Sequence, residues 1–156
     1  MKFESIYKQY WQPIFRLCMG YINDSARAQD LTQETFIIVW KSLPKFRQEA
    51  SLSTWIFRIA VNLCLRQLKI EKRIPQGQLP EQVKDEDTVN REPQVAFLYQ
   101  CIAELPETDR IIISLELENV KQAEIAVITG LSEGNVRIRI HRIKERLSKK
   151  FKGYEH

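Results

Sequence analysis

Histidine is nearly absent from this chain: His141 and His156 are the only two among 156 residues. Glycine is scarce as well, five in all, and none lies in a loop that could cradle a phosphate. No nucleophile–base spacing appears and the acids sit on solvated faces. Catalysis is therefore a poor reading of the chain, and no cofactor or metal is expected. The three cysteines, Cys18, Cys64 and Cys101, are odd in number, far apart and embedded in helical apolar patterns. That suits buried reduced thiols better than a disulfide framework or a metal site. No apolar stretch approaches the roughly 20 residues that cross a bilayer, so no membrane insertion is expected. The N-terminus shows no basic leader followed by an apolar run and a small-residue cleavage site, which predicts a cytoplasmic protein. Strand alternation is missing, and so are repeats of roughly 20–50 residues.

What remains is apolar and charged material in helical rhythm. At 44% apolar and 28% charged, the chain has enough apolar residues for small globular cores. The net charge of +4 matters less than its distribution. Residues 132–152 carry eight Lys/Arg against two acids, a local +6, whereas residues 74–93 carry two against five, a local −3. The contrast marks a basic binding face and an acidic connector.

The basic face belongs to the stretch from Glu124 to Lys150, which reads as a short helix, a turn at Gly130 and a longer helix. Ser132 stands where an N-cap belongs. Val136, Ile140, Ile143 and Leu147 follow at i, i+4, i+7 and i+11 and form one inward stripe. The opposite face carries Gly134, Ile138, His141, Arg142, Glu145 and Lys149. Ile138 is out of place in open water but would suit a thymine methyl in a major groove. A solvated basic helix closing a bundle would share the charge. The short helix, glycine turn and serine cap in front of it favour a DNA-reading helix-turn-helix.

Taken in order, Phe3, Ile6, Tyr7, Tyr10 and Trp11 recur at helical spacing, and Pro13 is expected to break or restart that helix. Asn23, Asp24 and Ser25 form a turn and cap. The amphipathic run Asp30–Leu43 turns Leu31, Thr35, Ile38 and Ser42, with Phe36, Val39, Trp40 and Leu43, toward a core. It leaves Asp30, Gln33, Glu34, Ile37 and Lys41 outside. Pro44 ends it. After a polar loop from Lys45 to Ser51, two adjacent stripes make the helix from Leu52 mostly buried. One exposed ridge remains: Trp55, Arg58, Asn62, Arg66 and Lys69. Interleaved indole and cations suit unstacked bases and phosphates, although a half-buried core tryptophan with solubilising charges would look alike. From Ile74 to Pro93 the pattern collapses into Pro, Gly, Gln and acids. Such a tether spans on the order of 60 Å at about 3.3 Å per residue. Helices resume at Gln94, with Pro106 expected in the first turn of the next one. The expected architecture is all-α: a helical domain over 1–73, an acidic flexible linker over 74–93, and a helical domain over 94–156 ending in the helix-turn-helix.

Three segments carry a family resemblance in order: DLTQETFIIVW, then KFRQEASLSTWIFRIAVNLCLRQLK, then LPETDRIIISLELENVKQAEIAVITGLSEGNVRIRIHRIKERL. Together they span essentially the whole chain, and it resembles a bacterial RNA polymerase sigma factor of the extracytoplasmic-function (ECF) group. The resemblance implies a non-enzymatic initiation subunit that binds core RNA polymerase, recognises two promoter elements, helps open the DNA, and is sequestered by an anti-sigma factor. By it, Asp30, Gln33 and Glu34 match the surface for the polymerase clamp's coiled coil. The loop Lys45, Phe46, Arg47, Gln48, Glu49 and Ala50 matches the one that captures a flipped base of the minus-ten element. Trp55, Arg58, Asn62 and Arg66 lie on the helix beside the melted strand. Arg137, Ile138, His141 and Arg142 match the readers of the minus-thirty-five element, with Ser132, Asn135, Arg139 and Lys144 completing that surface. The chain departs from the family at Ile138, usually a small polar residue, and at Lys121, usually Ser or Thr. Its end at His156 carries the expectation of no further sensory domain. A conventional helix-turn-helix repressor or activator, with an N-terminal dimerisation or sensor domain, is the other reading. Against it, such a domain has no need of cations along the Trp55 ridge.

Overall fold

The computed structural model describes residues 2–73 and 92–155, and among them every regular element is helical. Helices α1 (Phe3–Ile22), α2 (Ser25–Ser42) and α3 (Leu52–Arg73) pack on one another, with a 3₁₀ turn at Leu43–Lys45 after α2. Helices α4 (Pro93–Ala103), α5 (Glu107–Leu117), α6 (Gln122–Thr129) and α7 (Glu133–Glu155) form a second bundle. The acidic linker expected over 74–93 lies, but for Glu92 and Pro93, outside the described residues.

Local chemistry accounts for most helix ends. Asn23 takes the left-handed conformation that closes α1, at φ 47°, and the Asp24 carboxylate caps α2 by accepting the Arg27 backbone N–H at 3.2 Å. Ser51 does the same for α3, accepting from Thr54 N–H at 3.2 Å. Gly130, at φ 78°, ends α6 in a conformation that a side chain would strain. Ser132 then caps α7 by accepting from Asn135 N–H at 3.1 Å.

Three expectations need correction. Pro13 does not break α1, which runs unbroken through it. Ile6 on one side and Ile14, Leu17 and Cys18 on the other all enter the core, and this burial offsets the missing backbone donor. Trp40 does not face the core but is 61% exposed. The buried face of α2 is Leu31, Thr32, Thr35, Phe36 and Val39, and at 100° per residue Trp40 falls roughly 110° from its centre. Pro106 caps α5 from outside, the helix beginning at Glu107.

All three cysteines are buried and free. Cys18 and Cys64, distant in sequence, meet across α1 and α3 with their sulfurs 3.9 Å apart. The Cys64 thiol is held above its ordinary pKa by that bond and by burial, as suits an unreactive core group.

The two bundles touch along α1 and α5, with α4 also against α1 and α6 against α3. Gly20 permits the approach: a Cβ there would overlap the Ser114 hydroxyl and come within 3.0 Å of its Cβ. Arg16 grips Glu118 through Nε at 2.9 Å and Nη2 at 2.6 Å, and Arg110 Nη1 donates to the Tyr21 carbonyl at 3.1 Å.

Burial on α6 makes a direct stability test. Ile125 is fully buried and Val127 is 56% exposed, two residues on. Ile125→Ala should destabilise by about 2–5 kcal/mol and Val127→Ala by about 0.5 kcal/mol or less, read as shifts in urea midpoint at unchanged m-value. Equal shifts would overturn the packing of this helix.

Candidate nucleic-acid and protein interfaces

Three surfaces collect the residues singled out from the sequence. The first lies where the loop after α2 meets α3. Lys45, Arg47, Gln48 and Glu49 are exposed there. Gln48 adopts a left-handed backbone at φ 58°, a strained conformation for a residue with a side chain. Phe46 turns inward and stacks on the Trp55 indole, with ring centroids 4.6 Å apart and planes at 28°. That pairing joins loop and ridge and was not visible from spacing. Phe46 and Gln48 also line a concavity with Phe3, Trp40, Leu43 and Pro44. Along α3, Trp55 and Arg58 are half-buried while Asn62, Arg66 and Lys69 stand in solvent. The ridge is therefore real as a surface. Its neighbouring side chains Ile56, Phe57, Ala60, Val61, Leu63 and Cys64 are the buried ones that hold it in place.

The second surface is the outer face of α2. Asp30, Gln33 and Glu34 are all exposed. They do not stand alone: Ile37 is 51% exposed and Trp40 61%; Ile37 borders one groove with Glu34, and Ile37 and Trp40 border another with Gln33. Large apolar side chains open to solvent beside a carboxylate rim form a patch suited to a protein partner. Trp40 is the residue that sequence periodicity missed, because helical spacing alone places it at the margin of the buried stripe.

The third surface is α7. Val136, Ile140, Ile143 and Leu147 are buried as the stripe requires. Asn135, Arg137, Ile138, His141, Arg142 and Lys149 are exposed, with Ile138 at 53%. His141 lies 3.4 Å from Glu145 on the same face. Two of the cations are turned toward α5 instead. Arg139 donates to Asp109 at 3.0 Å and to the Asn135 amide oxygen at 3.0 Å, and Lys144 lies 3.6 Å from Glu116. These contacts fix the helix against its own bundle. Lys121 makes no side-chain cap for α6, in keeping with its departure from the usual Ser or Thr. Among the described residues no cluster of His, Cys, Asp or Glu could hold a metal, and no helix is long and apolar enough to cross a membrane.

Residues 6–74 match the Sigma-70 region 2 family and residues 98–147 the Sigma-70 region 4 family. The ECF RNA polymerase sigma-E factor of Escherichia coli strain K12 is 30% identical over 164 residues, covering 95% of this chain and 85% of that protein. The RNA polymerase sigma-H factor of Pseudomonas aeruginosa is 29% identical over 163 residues, covering 94% and 84%. Two solved structures share the fold. The sigma factor RpoE in complex with the anti-sigma factor NepR from Bartonella quintana has a TM-score of 0.83 at 20% identity, covering 96% of each chain. CnrH in complex with the cytosolic domain of CnrY has 0.74 at 19%, covering 97% of this chain and 88% of that one.

The split among the α7 cations can be measured without DNA. Arg139→Ala should lower stability by up to about 1 kcal/mol, the range of a partly exposed ion pair, while Arg142→Ala should stay within about 0.5 kcal/mol of wild type. Urea titrations of the two variants check this, and a larger loss for Arg142→Ala would reverse the assignment.

Proposed function

The chain belongs to the ECF group of RNA polymerase sigma factors, and from that premise we propose how its three surfaces divide the work of initiation. It is a transcription initiation factor: it binds core RNA polymerase, directs it to specific promoters and promotes DNA melting. Family membership implies a non-enzymatic subunit, and its place of work is the cytoplasm, where polymerase and promoter meet. A free-standing repressor or activator is not favoured, since matches to both sigma regions follow one another along the chain.

The patch of Asp30, Gln33 and Glu34 around Ile37 and Trp40 receives the polymerase. Its apolar centre and acidic rim fit a partner that is apolar with basic edges. The loop from Lys45 to Glu49 and the ridge of Trp55, Arg58, Asn62 and Arg66 take the melted minus-ten strand. Extracting a base from duplex costs a few kcal/mol, and stacking on an aromatic side chain returns about 1–3 kcal/mol. Phe46, parallel to the Trp55 indole in the free protein, fills the position that an unstacked base would take. What carries this reading is the ridge on α3, where exposed Asn62, Arg66 and Lys69 continue from the half-buried Trp55 and Arg58. On α7, Arg137, Ile138, His141 and Arg142 face the minus-thirty-five duplex from a helix fixed by Ser132. Arg139 and Lys144 act mainly by holding that helix to α5, and Asn135 by positioning Arg139. Domains over 1–73 and 94–156, joined by the linker at 74–93, give each promoter element its own reader. The anti-sigma factor named as the partner in one structural relative supports an anti-sigma factor here as well.

Two experiments test this division. Asp30→Lys with Glu34→Lys should leave the fold intact and abolish co-purification with core polymerase, and Trp40→Ala should weaken that binding by about 2 kcal/mol, as central aromatic anchors do. Stoichiometric co-purification of the folded variants would show the patch to be mere solvated surface. For melting, Trp55→Ala with Asn62→Ala should impair transcription from duplex promoter. It should recover substantially on a template with a pre-melted bubble, because the unstacking cost no longer falls on the protein. Wild-type opening of duplex by the folded variant would remove the ridge from the mechanism, and equal failure on both templates would make it a binding surface.

A further inference from the structure

Asn135 enters α7 with most of its hydrogen-bonding capacity already committed. Its backbone N–H donates to the Ser132 hydroxyl at 3.1 Å, and its side-chain oxygen accepts from Arg139 Nε at 3.0 Å. The amide NH2 is left over, on an exposed residue and with no partner among the described residues. We propose that Asn135 is a donor-only base reader, held in that state by Arg139 and, behind it, Asp109, and that it selects guanine at one position of the minus-thirty-five element. It rests on the initiation reading and deepens it from DNA contact to a choice of base.

The direction of the amide follows from its neighbour. A guanidinium has five N–H donors and no acceptor, so only the oxygen of Asn135 can face it. Arg139 is itself anchored. Its Nη1 donates to the Asp109 carboxylate at 3.0 Å, and the Asp109 side chain, in the first turn of α5, is only 21% exposed. Asp109 therefore fixes the guanidinium, and the guanidinium fixes the amide. The path of the side chain is telling as well. Three residues after a serine cap, a capping box would send the side chain back to the cap's own N–H; that of Asn135 runs forward one turn instead. At 100° per residue, Asn135 lies about 20° from Arg142 and about 40° from Arg139, which is on the side of the buried stripe. Its oxygen is thus turned toward the bundle and its NH2 toward the exposed face of Ile138 and Arg142.

Base edges decide what such a group can read. The N-terminal residues of a recognition helix are the ones that meet them. Guanine offers two acceptors, O6 and N7, to an NH2 group. Adenine offers an acceptor beside a donor, and an asparagine matches both only by using its oxygen and its NH2 together. With the oxygen engaged, adenine loses one of the two bonds. Thymine keeps the single acceptor O4, and cytosine, which presents only its N4 donor, is refused.

Transcription in vitro with core polymerase and the full chain, on templates randomised through the minus-thirty-five element, reads this choice directly. At one position wild type should prefer guanine to cytosine by roughly tenfold. Asn135→Ala should level that position and leave the order of bases at every other one unchanged. Asp109→Ala frees the guanidinium and with it the amide, so adenine should gain roughly fivefold on guanine at the same position. Arg139→Met keeps the length of the stem but removes the donors, and should re-rank the bases in the same way. It keeps the comparison available if Asp109→Ala does not fold by circular dichroism. Lys144→Ala breaks a second contact between α7 and α5, at Glu116, and should weaken all templates alike without re-ranking them. Three results would overturn the base reader: a sequence-blind loss or no change in Asn135→Ala, adenine preferred by wild type at the position that Asn135→Ala levels, or Asp109→Ala and Arg139→Met behaving like Lys144→Ala. Failure of wild type itself to initiate with core polymerase would instead sink the initiation reading and the base reader with it.

Discussion

Helix α1 has to satisfy two neighbourhoods at once. Ile6, Ile14, Leu17 and Cys18 leave water among α2 and α3, while Gly20 and Tyr21 at its far end press against α5. Burial on this scale, at about 25 cal/mol per Å² of apolar surface, is what carries the helix through Pro13 without a break. It also means that one helix is a wall of both bundles. The first bundle needs α1 permanently, because Cys18, Phe36 and Val61 share a core with it. The second packs on it as well, through Tyr21 and Gly20 in a continuous apolar cluster, and adds one ion pair from Arg16 to Glu118.

Much of this was legible from residue order. The caps at Asp24 and Ser132 are local chemistry, written in a few consecutive residues, and the structure places a side-chain bond at each. The stripe of Val136, Ile140, Ile143 and Leu147 follows from helical period alone. So does the outward ridge on α3, whose opposite side packs into the core through Ile56, Phe57, Ala60, Val61, Leu63 and Cys64. Exposure of Asp30, Gln33 and Glu34 follows in the same way.

What was illegible depends on a second helix. Whether Trp40 is covered is decided by where α1 crosses α2, and periodicity cannot place that crossing. The Phe46–Trp55 stack joins a loop to a helix through a turn whose path hangs on Gln48 at positive φ. Cys18 and Cys64 give no sign in sequence that they meet. Likewise, the cations of α7 look equivalent on a helical wheel. Only Asp109 and Glu116, offered from α5, separate Arg139 and Lys144 from the rest.

That separation on α7 has an evolutionary reach. Residues that hold the helix in place are Val136, Ile140, Ile143, Leu147 and Arg139, and those in open solvent are Arg137, Ile138, His141 and Arg142. The two sets share few partners, so changes in one leave the energetics of the other nearly untouched. Mutation can therefore explore the exposed set without endangering the fold, and a duplicated copy of such a chain could drift to new DNA targets one side chain at a time. Ile138, 53% exposed and apolar among cations, sits in that exposed set.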